Sequence, residues 1–203
     1  MLLKRDKLFL NLLSAAISII LKESNFMEKM LVSVIIPAYN CVTYLEQAVN
    51  SALTQTYSQL EILIIDDCSQ DNTLKIVKSL AQKDNRIRVL KNEMNQGTAA
   101  TRNRGLRESK GDFIAFLDGD DVWHPDKLER QLDLLKQTDA ALCYTAYDFI
   151  NAEGGSLPGQ IYHVPEQCSL SRLLRENVIG CSTAIFRFKY GKEFFMRKDE
   201  PYC

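Results

Sequence analysis

Asp112-Phe-Ile-Ala-Phe-Leu117 runs straight into Asp118-Gly119-Asp120-Asp121, and this junction decides how the chain is read. An unbroken apolar run stopped by acids and a glycine is the pattern of a strand buried on both faces of a parallel sheet. Upstream the same pattern recurs. Leu31-Val-Ser-Val-Ile-Ile36 is halted by Pro37, Glu61-Ile-Leu-Ile-Ile65 is closed by Asp66-Asp67-Cys68-Ser69, and Ile87 to Leu90 makes a third short strand. Between them lie apolar residues at helical spacing. Val42, Leu45, Ala48, Val49, Ala52 and Leu53 form one face; Leu74, Ile76, Val77, Leu80 and Ala81 form another, capped by Asp71-Asn72-Thr73. Gly97 to Ser109 reads as a third helix, with Gly105 as its weak spot. Downstream, a helix follows Pro125, Ala140 to Phe149 reads as a strand, and Asn151 to Gly159, with three glycines and a proline, reads as a loop or subdomain boundary. A helix near Ser169 to Glu176 and a strand near Thr183 to Phe188 complete the pattern. Strand and helix alternating at this spacing predict an α/β fold, a mostly parallel, doubly wound sheet with helices on both faces.

The bulk numbers narrow the function classes. With 203 residues, 46% hydrophobic and 25% charged, the chain has the balance of an ordinary globular protein with a sizeable core. A net charge of −1 leaves no electrostatic footprint for nucleic acid, so a polyanion partner is not expected. Six cysteines (Cys41, Cys68, Cys143, Cys168, Cys181 and Cys203) are scattered without a C-x-x-C pair, which argues against zinc and for reduced packing thiols in a cytosolic protein. The N-terminal stretch stands apart: Lys4, Arg5 and Lys7 precede an apolar run from Leu8 to Leu21 that is short for a membrane span. It reads as an amphipathic membrane-surface helix, or else Met27 or Met30 is the true start.

In an open parallel sheet, ligands bind beyond the carboxyl ends of the strands. That rule picks out Pro37-Ala-Tyr39-Asn40, Asp66-Asp67 and Asp118-Gly-Asp-Asp121, expected to converge on one edge. Acids gathered there repel one another unless a cation intervenes. A hard divalent ion with a diphosphate suits them, since Mg²⁺ takes few carboxylates and fills its shell with phosphate oxygens and water. Asp118 and Asp120 are the metal candidates. A calcium loop using Asp118, Asp120 and Glu129 is excluded, because Trp123 stands where that loop needs glycine. Asp66 and Asp67 read either as part of this ligand-facing edge or as helix N-terminal acids, and for Asp67 base recognition is preferred. Tyr39 reads either as core or, following a proline at a strand end, as an aromatic face that stacks on a base. For Arg102 two readings stand: a solvated surface arginine, or a cation facing the nucleotide. Trp123 either flanks a ligand or packs, and His124 and His163 read as surface residues.

Val32-Ser-Val-Ile-Ile-Pro-Ala-Tyr-Asn40, Ile65-Asp-Asp-Cys-Ser-Gln-Asp-Asn-Thr73, Asn95-Gln-Gly-Thr-Ala-Ala-Thr-Arg-Asn-Arg-Gly105 and Gly111 through Leu128 together resemble the family 2 glycosyltransferases of the GT-A fold. The likeness covers Leu31 to about Leu135 closely and extends loosely to Phe188. It implies an inverting, metal-dependent enzyme of cell-surface polysaccharide synthesis, moving a sugar from a nucleotide donor, UDP-linked by preference, to a glycan or lipid-linked acceptor. Carried over by position, Pro37 and Tyr39 line the base pocket, Asp67 bonds the base and Arg102 sits beside the nucleotide. Asp118 approaches ribose and metal, and Asp120 binds Mg²⁺ or Mn²⁺. On this reading 1–30 is an extension, 31–150 the nucleotide-sugar-binding core and 151–203 a partial acceptor side, in a cytoplasmic protein, peripheral at the inner membrane face if the extension binds lipid. The family's catalytic carboxylate follows the strand matched here by Gly180-Cys-Ser-Thr-Ala-Ile-Phe186. Asp199 and Glu200 come early and lack its Leu-Trp context, so the base is expected beyond Cys203. Two rivals differ in class: a nucleotide-binding remnant without turnover, and a nucleotidyltransferase, which would need a glycine-rich loop where Pro37 to Cys41 stands.

Overall fold

The computed structural model describes residues 30–188 apart from 174, together with Met196. The apolar run at 8–21, Asp199, Glu200 and Cys203 lie outside these. Four strands form the parallel part of the sheet: β1 (Val32–Ala38), β2 (Leu60–Asp66), β3 (Ile87–Lys91) and β4 (Phe113–Phe116). The sheet has six strands in the order β3-β2-β1-β4-β8-β5, where β5 is Leu142–Cys143 and β8 is Ile185–Arg187. β8 runs antiparallel to both β4 and β5, so the sheet is mostly, not wholly, parallel.

The chain proceeds from β1 outward to β3, then returns to place β4 on the other side of β1. This reversal opens a crevice between the ends of β1 and β4, the place where such sheets bind ligands. Apolar residues on both faces explain the unbroken hydrophobic runs. Ile35, Leu63 and Ile65 pack with Leu106, Ile114 and Phe116 in one cluster. Val34, Ile36, Ile62 and Ile64 alternate onto the opposite face and are equally buried. Helix α1 (Leu45–Leu53) and helix α2 (Thr73–Lys83) pack on each other. Helix α3 (Thr98–Glu108) lies across β1 and β2, and α4 (Lys127–Gln137) sits beside β5.

Several expectations are corrected. Pro37 does not halt β1: it lies inside the strand, opposite Ile65, and β4 pairs only as far as Ile35. The missing N–H therefore falls where no neighbouring strand on that side needs it. Val42 stands outside α1 and is exposed. The side chain of Asp71 receives the Thr73 N–H (2.9 Å), whereas the N-cap Asn72 makes no capping bond. Gly105 is no weak spot. A Cβ there would lie 2.4 Å from Ile35 Cγ2, so glycine lets α3 settle onto the sheet. The run 140–149 splits between β5 and β6 (Tyr147–Ile150), which belong to different sheets. The predicted loop at 151–159 is half hairpin: β6 pairs antiparallel with β7 (Ser156–Tyr162) around a turn at Asn151–Gly155. A short helix α5 (Leu170–Leu173) follows, and a 3₁₀ turn at Cys181–Thr183 leads into β8. Among the described residues no helix is long and apolar enough to cross a membrane.

Candidate functional site

Six residues singled out by sequence, Pro37, Tyr39, Asp67, Arg102, Asp118 and Asp120, line one cleft of about 830 Å³. The loops that follow β1 and β2 are stitched together beneath it. Asn40 and Cys68 adopt positive φ, of 47° and 63°. Asn40 N–H donates to Ser69 Oγ (3.1 Å) and Asn40 Oδ1 accepts from Gln70 N–H (2.8 Å), while Cys41 N–H donates to Thr73 Oγ1 (3.0 Å). Tyr39 is 49% exposed, which settles it as a surface ring at the cleft rather than core.

The acids at the strand ends do not crowd into one cage. Among the described residues no group of three or more His, Cys, Asp or Glu is poised to hold a metal. Instead Asp67, Asp118 and Asp121 are each partnered separately. Asp67, buried, accepts from Asn92 Nδ2 (2.6 Å), Gln96 N–H (3.0 Å) and Gly97 N–H (2.9 Å). It thus anchors the turn that starts α3. Asn92 is itself held by Thr101 and by Arg104, whose Nη1 donates to Asn92 Oδ1. Asp66 is fully buried at the end of β2, and among the described residues neither of its carboxylate oxygens has a hydrogen-bond partner; it is a strand residue, not a helix N-terminal acid.

Arg102 is not a solvated surface arginine. It is buried on α3, with its guanidinium near the Phe116 ring and its Nη2 2.5 Å from Asp118 Oδ1. The charge that pairs with Asp118 is therefore supplied by a helix, from sixteen residues upstream. Asp120 is exposed at the cleft. Gly119 between them comes close to Cys41, whose Sγ would lie 3.2 Å from an added Cβ. A hard divalent ion fits this donor set: an exposed carboxylate on Asp120 and the second oxygen of Asp118, with room in the cleft for phosphate oxygens.

Three contributors escaped the sequence reading. Ser182, in the 3₁₀ turn, accepts the Asp118 N–H at its Oγ (3.0 Å) and donates that hydroxyl to Asp121 Oδ2 (2.5 Å). Burial pushes the Asp121 carboxyl above its usual range, while the Ser182 hydroxyl pulls it back down and the charges of Asp118 and Asp120 add to the rise. Asn103 ties down Met196 through two bonds of 2.8 Å, which brings Met196 to the wall of the cleft. Trp123 packs rather than facing the cleft. It is buried, its Nε1–H donates to the Ser182 carbonyl (2.7 Å), and the Lys127 amine sits 4.3 Å from its ring centroid. It also borders a second cavity of about 530 Å³, lined by Asp121, His124, Lys127, Tyr147 and Asp148 among others. There His124, exposed as expected, approaches Asp148 at 3.5 Å.

Residues 33–198 match glycosyl transferase family 2. The chain is 40% identical over 157 residues to the Bacillus subtilis (strain 168) glycosyltransferase TuaG, named for teichuronic acid biosynthesis, covering 77% of this chain and 62% of TuaG. It is 38% identical over 159 residues to the Escherichia coli UDP-Glc:alpha-D-GlcNAc-diphosphoundecaprenol beta-1,3-glucosyltransferase WfgD, covering 78% and 61%. The chain thus spans about three fifths of the length of these relatives. Among solved structures, S. aureus TarS 1-349 in complex with UDP-GlcNAc superposes with a TM-score of 0.65 at 25% identity, over 81% of this chain and 47% of TarS 1-349. A Pyrobaculum calidifontis mannosyltransferase in complex with GDP-Man and Mn²⁺ shares the fold, at a TM-score of 0.60 and 20% identity, over 83% of this chain and 48% of its own. A strand-end cleft of the GT-A type and a family match across most of the sequence agree, and the chain belongs to glycosyl transferase family 2.

Proposed function

We propose that this chain is the donor-binding part of a metal-dependent inverting glycosyltransferase. It would transfer a sugar from a UDP-sugar to a glycan or lipid-linked acceptor in cell-surface polysaccharide synthesis. The observation that carries this reading is the convergence of Tyr39, Asp67, Arg102, Asp118 and Asp120, from separate elements, on one cleft. Tyr39 offers an exposed ring to stack on the base. Asp67 lines the cleft, and its carboxylate, held by Asn92, Gln96 and Gly97, is assigned to the imide N–H of uracil. Arg102 holds the Asp118 carboxylate at the mouth of the cleft, where ribose hydroxyls are within the reach of such a group. Asp120 and the second oxygen of Asp118 would hold Mg²⁺ or Mn²⁺, which when bound offsets the charge building on the departing diphosphate. The second cavity sets Asp121, Asp126 and Asp148 against Lys127 and Arg130. That lining suits an uncharged, hydroxyl-rich ring better than an anion and is assigned to the acceptor side. An inverting displacement needs a carboxylate to take the acceptor's proton. It is expected downstream of β8; Asp199 and Glu200, the candidates before Cys203, lie outside the described residues.

The test is calorimetric titration of UDP, GDP and dTDP with and without Mn²⁺, against Asp120→Ala. UDP binding that needs Mn²⁺ and disappears in Asp120→Ala is the expected outcome; a folded protein that binds none of the three sinks the reading. A second reading is nucleotide binding without turnover. Release of free sugar from UDP-sugar donors separates the two.

A further inference from the structure

We propose that Ser182 is the positioning residue of the metal-facing loop, an inference that rests on the donor site proposed above. The loop Asp118 to Trp123 carries the carboxylate, Asp120, on which no described residue places a hydrogen bond. Its direction must therefore come from the backbone on either side, and Gly119 on one flank gives that backbone more freedom than any other residue would. A turn closed by the Asp121 N–H on the Asp118 carbonyl (3.1 Å) shapes it locally, and the restraint from outside the loop is Ser182, sixty-four residues from Asp118 in sequence.

Three bonds converge there. The Asp118 N–H donates to Ser182 Oγ at 3.0 Å, the Ser182 hydroxyl donates to Asp121 Oδ2 at 2.5 Å, and Trp123 Nε1–H donates to the Ser182 carbonyl at 2.7 Å. They bracket Gly119 and Asp120 from both ends. One hydroxyl is used as acceptor and as donor, a double role that alanine cannot fill. The anchor is itself fixed. Thr183 N–H closes on the Gly180 carbonyl (3.0 Å), the Thr183 carbonyl accepts from Gln131 Nε2 (2.9 Å), and Ile185 is fully buried in β8. From the loop's side, Trp123 N–H is held by Ser51 Oγ (3.1 Å). Arg102 and Ser182 divide the work on Asp118: the guanidinium holds the carboxylate, the hydroxyl holds the peptide. Ser182 is thus the point at which the antiparallel strand inserted beside β4 acts on the donor site.

Because Ser182 acts on the metal-facing end and does not line the base pocket, its loss is predicted to be selective. In Ser182→Ala the gain in UDP affinity on adding Mn²⁺ falls about tenfold, as expected for losing a hydrogen bond to a charged group. Uridine affinity stays unchanged, and Ser182→Thr, which keeps the hydroxyl, recovers most of the gain. In ligand-free protein, hydrogen exchange at the Asp118 amide rises about tenfold in Ser182→Ala while the amides of β4 keep their protection. An unaltered Mn²⁺-dependent gain, or equal losses for uridine and UDP, overturns the proposal. If the wild-type protein binds no UDP, the donor reading falls instead. The Asp118 exchange rate then decides the positioning role by itself: a rise supports it, and an unchanged rate overturns it.

Discussion

Asp67 and Asp118 follow the two strands that flank β1 at the same sheet edge, yet the structure uses their charges differently. Asp118 meets a buried arginine, whereas Asp67 meets an amide side chain and two backbone N–H groups. Asp67 therefore carries a structural role that its motif position does not announce. In Asp67→Asn an N–H₂ group would face donors that now find acceptors. Unfolding by urea should show a loss of about 1–3 kcal/mol in the absence of any nucleotide; a residue that touched only ligand would show none. Arg102 yields the complementary prediction. Lysine keeps its charge but not its planar fork, so Arg102→Lys should lower Mn²⁺-dependent UDP affinity about tenfold by calorimetry. The motif residues at this scale were legible because short polar stretches after buried strands stand out in sequence. Arg102 was legible only as a question, since nothing local distinguishes a surface arginine from one facing a carboxylate.

Among the elements, α3 shows how far periodicity carries and where it stops. Its span was readable, but the pattern made Gly105 a defect, and its environment makes it a contact point. The Cβ of Gly105→Ala would meet Ile35 Cγ2 at 2.4 Å and Ile65 Cδ1 at 3.2 Å. Overpacking of this kind costs about 1–3 kcal/mol, measurable as a lower urea midpoint at unchanged m. Better helix propensity, worth up to about 1 kcal/mol, offsets only part of it. The second half of the chain was read less well for a related reason. β5 is two residues long and β8 three, and a strand that short leaves too few side chains for alternation to register. The split of 140–149 between two sheets follows from pairing with β8 and β7, partners up to dozens of residues away.

For the whole molecule, stability should respond to pH through Lys127. This side chain is buried beneath Trp123, and burial lowers its pKa from 10.5 to about 7, although Gln131 Oε1 at 2.7 Å and the indole face favour the charged form. Between pH 7 and 10.5 the unfolded chain binds the proton that the folded one gives up, so stability rises across that window and is least below it. Lys127→Met should remove this dependence and stabilise the protein near pH 7 by ~1–3 kcal/mol, as seen by chemical unfolding at several pH values. Near neutral pH, UDP with Mn²⁺ at one hundred times Kd should add about 2.7 kcal/mol, reversed by EDTA. What the sequence determined by itself was the parallel α/β scheme, the family and the three strand ends that bear chemistry, because these are written in local periodicity and in what interrupts it. Only the tertiary structure decided that β8 slots in antiparallel beside β4, that Ser182 thereby reaches the loop at Asp118, and that Asp67, Asp118 and Asp121 each have their own partner. Those contacts join residues as far apart as Phe113 and Arg187, and the distance between them is set by the order of strands in the sheet, which no local pattern encodes.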